Sequence, residues 1–160
     1  MDWSLLATLL HVVNAVVFLS GLMGRWILLT RAARAEDVET AYLLSQAAGP
    51  FERIVIISSQ LILPTGLLAG WLRGYPWAGF GTPWVVVAIV LTLSALPFVY
   101  FVLIPRGRTF EAAMADARQR CAWTAELRAA FADPGVALAR RWELAAVAIV
   151  LTLMVLKPTI

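Results

Sequence analysis

A chain of 160 residues has the length of one domain, but 61% of its side chains are hydrophobic and only 14% are charged, against roughly 25% charged in soluble domains. That composition excludes an ordinary water-soluble globule, and a single cysteine, Cys121, excludes an internal disulfide or a cysteine-based metal cluster. The net charge of +3 is explained by basic membrane flanks, which gives no basis for a nucleic-acid partner.

No basic segment precedes the first apolar run, and residues 3–24 contain no Asp, Glu, Lys or Arg. A helix needs roughly 20 apolar residues to cross the hydrocarbon core. The run is too long for a signal-peptide core, so it is read as a retained first span at about residues 5–29. His11, Asn14, Phe18, Gly21 and Arg25 follow a 3-4-3-4 spacing and form one stripe, the face that meets other helices. His11 is the only histidine. Asn14 is expected to hold one imidazole nitrogen, fixing the tautomer and freeing the other nitrogen as ligand or base. Three readings of His11 stand side by side: a packed histidine bonded to a neighbouring helix, a contact to haem or another porphyrin, and a proton relay.

The second span is expected at about residues 54–72, which are again uncharged. Gly66 and Gly70 are a small-residue pair that permits close helix approach. Pro64 predicts a kink that frees the carbonyl near Gln60. The third span, about residues 83–104, opens at Pro83 and closes at Pro105, both suitable boundary residues. Beyond it, Phe110, Met114, Ala117 and Cys121 recur at helical spacing. Residues 108–131 therefore read as an amphipathic helix, resting on the inner lipid surface or docking a partner, and Asp133-Pro134-Gly135 breaks it. The last uncharged run, residues 144–156, covers only roughly 20 Å as a helix. A span at about 143–156 thus draws Glu143 or Lys157 to the membrane boundary.

Charge sets the orientation. Arg25, Arg31, Arg34 and Arg53 fall in the first connection, and seven further arginines fall between residues 105 and 141. Only Arg73 and Lys157 lie on the opposite side. By the positive-inside rule the arginine-rich connections are cytoplasmic and both termini face outward. Trp3, Trp71, Tyr75, Trp77 and Trp84 then form an outer aromatic belt, and Trp26, Tyr100 and Trp142 an inner one. Arg25, Glu52 and Glu143 converge on the inner boundary. A lone charge there is expensive, so Arg25 is expected to pair with Glu143, Glu52 or both as a latch between spans, or to act on a substrate or proton. The fold class that follows is all-α: a four-transmembrane-helix bundle, residues 1–160 as one integral membrane domain in a bacterial inner membrane.

The stretch from Leu9 to Leu22 with His11, Asn14 and Gly21, the stretch from Leu63 to Leu72 with Gly66 and Trp71, and the closing stretch from Leu151 to Pro158 resemble a bacterial family of predicted integral membrane proteins, domain-of-unknown-function family 2269. The likeness runs over nearly the whole chain. More distantly, the layout is similar to HemJ-type protoporphyrinogen oxidases and to the membrane domain of copper-resistance protein D. The first of these rests on His11 followed by Gly21-Leu22, and on Arg141-Trp142-Glu143 leading to Lys157-Pro158. It implies haem binding at His11 and, more weakly, a role for Glu143. Where HemJ proteins carry a lysine near the start of the third span, this chain reads Gly81-Thr82-Pro83-Trp84.

Three functions follow. The first is an accessory or binding protein that holds haem or another apolar ligand, with His11 as axial ligand to the iron, Met154 or a second copy's histidine opposite it, and Arg73 and Lys157 as partners for the propionates. The second is a HemJ-like porphyrinogen oxidase in which Glu143 and Arg25 handle protons. The third is a ligand-free structural subunit. The partners expected are the lipid bilayer and a second copy or a larger membrane complex.

Overall fold

The computed structural model describes residues 2–75 and 81–157, and among them the regular elements are all helical. Helix α1 runs Trp3–Ala32, α2 Val38–Leu72, α3 Pro83–Phe98, α4 Ile104–Gln119, α5 Ala125–Phe131 and α6 Pro134–Leu156; a π-helical turn at Val99–Leu103 joins α3 to α4. Each start that follows a loop carries a recognisable signal. The side chains of Asp2, Asp37, Thr124 and Asp133 accept hydrogen bonds from the first free N–H groups of α1, α2, α5 and α6, and Pro83 occupies the first turn of α3.

Three helical stretches, α1, α2 and the continuous run Pro83–Gln119, are long and apolar enough to cross a membrane. Their outer faces are what lipid requires: Leu9, Leu10, Val12, Val13 and Val16 along α1 are all at least half exposed. The chain is an integral membrane protein with multiple apolar helices. The helices outrun the apolar runs at the basic end. Only residues 33–37 separate α1 from α2, so residues 38–53 are helical and α2 rises well beyond its uncharged segment.

The helices pack as two pairs, α1 against α2 and α3 against α6. Glycine sets the first pair. A Cβ at Gly21 would meet the side-chain tips of Ile54 and Val55 at 2.9 and 3.0 Å and the carbonyl oxygen of Phe51 at 3.1 Å; one at Gly24 would run into the Phe51 ring. The second pair is tied by the Trp142 indole N–H, which donates to Ser94 Oγ at 3.0 Å, with Phe98 beside the indole.

The structure corrects the reading of residues 108–131. The helix does not end at Pro105 for a separate one to begin beyond it. Five residues, Val99–Leu103, form a wider turn whose closing bond runs from the Ile104 N–H to the Val99 carbonyl, and Pro105 then sits in the first turn of α4, where a missing N–H costs little. The helix therefore continues to Gln119. Phe110, Met114 and Ala117 do form one apolar stripe, but they pack on Val38 and Ala41 of α2 and Leu127 of α5, with Tyr42, Trp123 and Phe131 at the rim. This small core lies at the basic end, beyond the apolar runs. Cys121 is not part of the stripe. It is exposed and left-handed (φ 50°), the position where α4 is capped by bonds from the Cys121 and Ala122 N–H groups to the Arg118 and Ala117 carbonyls. A short α5 follows as a separate element. Trp77, placed by sequence in the outer aromatic belt, and Pro158 lie outside the described residues.

Candidate functional site

The site starts from one side chain on α1. His11 is 8% exposed, and its Nδ1 lies 3.1 Å from Thr65 Oγ1 on α2. The Thr65 hydroxyl has a single proton, and its 2.6 Å contact to the Leu61 carbonyl uses it. The hydroxyl therefore accepts at His11, which places the imidazole proton on Nδ1 and leaves Nε2 with its lone pair. That atom is buried and has no hydrogen-bond partner. An orphaned buried polar atom costs about 1–3 kcal/mol. The helices can approach here only because residue 66 is glycine: a Cβ there would stand 2.9 Å from His11 Cε1.

The residue expected to hold the imidazole does something else. Asn14 donates its amide N–H to the Ser58 carbonyl at 3.0 Å, one turn further along α1. In the antiparallel α1–α2 pair, His11 lies opposite Thr65 and Asn14 opposite Ser58, so the His11 Nδ1 and the Asn14 amide find their partners across the pair rather than along their own helix. Sequence reasoning missed Thr65. A threonine next to Gly66 in an apolar helix reads as a hydroxyl bonded back to its own backbone, which it is; its second role needs the neighbouring helix.

His11 lines a cavity of about 240 Å³ between the two helix pairs, at the end of the molecule that bears both termini. The cavity draws on α1, α2, α3 and α6. Its walls are mainly apolar, Met154 and Trp84 among them, and it also reaches Arg73 and Lys157. The four residues that the sequence nominated around one ligand (His11, Met154, Arg73 and Lys157) thus line one space, whereas Asn14 does not. Tyr75 and Trp84, both in its lining, meet edge to face with centroids 6.1 Å apart. Arg73 and Lys157 are exposed, and Lys157 ends α6 in a left-handed conformation (φ 43°).

A second polar cluster sits at the other end. Arg25 Nη2 donates to Glu143 Oε2 at 2.7 Å, and both side chains are nearly buried, at 13% and 14% exposure. The bond joins α1 of one pair to α6 of the other. Glu52 is not in it. It is exposed and makes no ion pair within 4 Å among the described residues. Arg140, which sequence reasoning left among the flanking charges, belongs here instead. Burial and then the nearby Arg25 push its guanidinium below the ordinary arginine range, while Glu143 and Glu52 oppose the shift. Its three-residue spacing from Glu143 was the available signal.

Among the described residues no group of three or more His, Cys, Asp or Glu side chains is placed to hold a metal ion. The donor set at His11 is one neutral imidazole in an apolar space with a thioether in the same walls and cations at the mouth. One nitrogen donor falls short of the several ligands a free transition-metal ion takes, and suits a ligand that brings its own apolar body and acidic groups.

A family model described as predicted integral membrane protein (DUF2269) matches residues 5–158. No curated protein and no solved structure matches the chain.

Proposed function

Because the chain belongs to this family of predicted integral membrane proteins, we propose that it is a membrane binding protein whose outer-half cavity takes an apolar ligand with acidic groups, haem first among them. The observation that carries this reading is the buried, unpartnered Nε2 of His11 in the wall of a cavity that also reaches Arg73 and Lys157. Haem, when bound, supplies one-electron chemistry. His11 would supply a nitrogen ligand to the iron, Thr65 holds the imidazole tautomer that makes Nε2 available, Met154 would be the candidate second ligand, and Arg73 and Lys157 would pair with the propionates. Nε2 is shielded in the state described, so ligation takes a small displacement of the ring toward the cavity. At about 240 Å³ the space is just under the roughly 300 Å³ at which small-molecule pockets begin. A macrocycle would therefore need to extend beyond this space, into the seam between the helix pairs or against a second copy of the chain. In this reading α1, α2, α3 and α6 form a four-helix bundle in a bacterial inner membrane, the basic ends cytoplasmic and the termini outside, a placement the arginine distribution supports.

The test is an optical spectrum of detergent-purified protein, oxidised and dithionite-reduced, with and without added haem. A Soret band that shifts on reduction is expected. It disappears in His11→Ala and weakens in Thr65→Val, where the imidazole loses its acceptor. Absence of the band even after haem addition, or a band unchanged in His11→Ala, overturns the haem assignment and leaves a bundle whose histidine serves packing.

A further inference from the structure

The His11 cavity has a larger counterpart. A cleft of about 780 Å³ lies at the basic end, between the N-terminal half of α2, the α3–α4 helix and the start of α6. Its apolar wall includes Leu103, Phe110 and Val136. Four arginines line it, and three already have carboxylate partners: Arg25 with Glu143, Arg106 with Asp133 and Arg118 with Glu39. Arg140 has no ion pair within 4 Å among the described residues, although it is half-buried. Two carboxylates on the cleft wall, Glu52 and Glu111, are likewise outside the ion pairs. The cleft thus offers one unclaimed cation and two unclaimed anions above an apolar wall.

Position in the chain fixes the depth. Glu52 lies just before the uncharged run 54–72, Arg140 just before span four, and Leu103 at the end of the uncharged run 74–105. The free charges therefore stand at the level where hydrocarbon gives way to headgroups, and the apolar wall reaches toward the acyl chains. A purely anionic headgroup satisfies Arg140 but faces two carboxylates. A headgroup that carries both a phosphate and a primary ammonium satisfies all three, because an ammonium donates hydrogen bonds to carboxylates and a phosphate accepts from guanidinium. A quaternary ammonium has no N–H to donate.

We propose that the basic-end cleft is a binding site for a zwitterionic phospholipid with a primary ammonium headgroup, its phosphate on Arg140, its ammonium on Glu52 and Glu111, and a chain along Leu103, Phe110 and Val136. The site is separate from the His11 cavity and does not depend on what that cavity holds.

Native mass spectrometry of the purified protein, titrated with phosphatidylethanolamine, phosphatidylcholine or phosphatidylglycerol of matched chains, reads the preference directly. The ethanolamine lipid is expected to bind about tenfold tighter than either of the others, the size of one charge-assisted hydrogen bond. Glu52→Gln is expected to bring the three lipids to within about twofold, whereas Arg140→Gln weakens all three together, because each carries the phosphate, and Arg140→Lys, which keeps the charge, retains most of the affinity. Glu111→Gln, on an exposed face of α4, serves as the second carboxylate variant should Glu52→Gln not fold. Soluble glycerophosphoethanolamine is expected not to compete. Equal binding of the three lipids, a preference for phosphatidylglycerol, a preference untouched in the carboxylate variants, or affinities untouched in Arg140→Gln overturns the proposal; competition by the soluble headgroup at the lipid's own affinity overturns the lipid as its source.

Discussion

Arg25→Ala is expected to lower the stability of the protein by about 3–5 kcal/mol, the cost of removing one partner from a buried ion pair. The magnitude comes from what is left behind. Glu143 is 14% exposed and loses the 2.7 Å bond that compensates its burial. Arg140 is near enough to take up part of the charge, so the lower end of the range is the expected value. The bond is also a polar tie between the α1–α2 and α3–α6 pairs, so its loss is felt in how the pairs dock rather than within either pair. Thermal unfolding in detergent, followed by helical circular dichroism, is the measurement. The double variant Arg25→Ala/Glu143→Leu is expected to regain most of the loss, because an apolar pair in this place needs no partner. An unchanged midpoint in Arg25→Ala would show that the pair is solvated and holds nothing together.

The second large effect lies within the first pair. Gly21→Val places a branched side chain where a lone Cβ already stands 2.9 Å from Ile54, 3.0 Å from Val55 and 3.1 Å from the Phe51 carbonyl oxygen. Two of those neighbours are methyl groups that can turn. The third is helix backbone, and it cannot move without shifting α2. Overpacking of this kind costs typically 1–3 kcal/mol, and the upper end applies here. Gly107→Ala is the matched control. It lies in α4 with nothing within 4 Å of an added Cβ, and alanine is the better helix former by about 1 kcal/mol, so a neutral or slightly raised midpoint is expected. If Gly21→Val melts with the wild type, the close approach of α1 and α2 is not real.

The arrangement was partly legible in the sequence because membrane chemistry is written in blunt terms. Absence of charge located the apolar runs, and the end of each run that carried arginine fixed which ends lie together. That is why His11, Met154, Arg73 and Lys157 could be nominated from residue numbers alone and are found lining one cavity. What could not be read was whatever depends on a neighbour. Asn14 was assigned to His11 because both lie on one stripe of α1, but the polar groups of a tight helix pair are satisfied across the gap, by Thr65 and the Ser58 carbonyl. The stripe Phe110–Met114–Ala117 was visible; the lipid surface or a docked partner was expected to cover it because nothing in residues 38–53 announced a helix rising to meet it. Arg140 looked like one flanking charge among many, since burial leaves no mark on a sequence.

Pro105 was read as a terminator, and the turn at Val99–Leu103 is the reason it is not one. A π turn holds one residue more than the α-helix on either side, which would otherwise advance every downstream side chain by roughly 100°. Ser94 and Phe98 meet Trp142 on α6 above this point, and Phe110 and Met114 meet α2 and α5 below it. The turn is therefore a phase adjuster between two docking surfaces cut into one rod. Chain length is negotiable there: loss of one residue inside the turn straightens it and keeps both faces aimed, whereas the same loss between Ile104 and Thr109 rotates one surface against the other by roughly 100°.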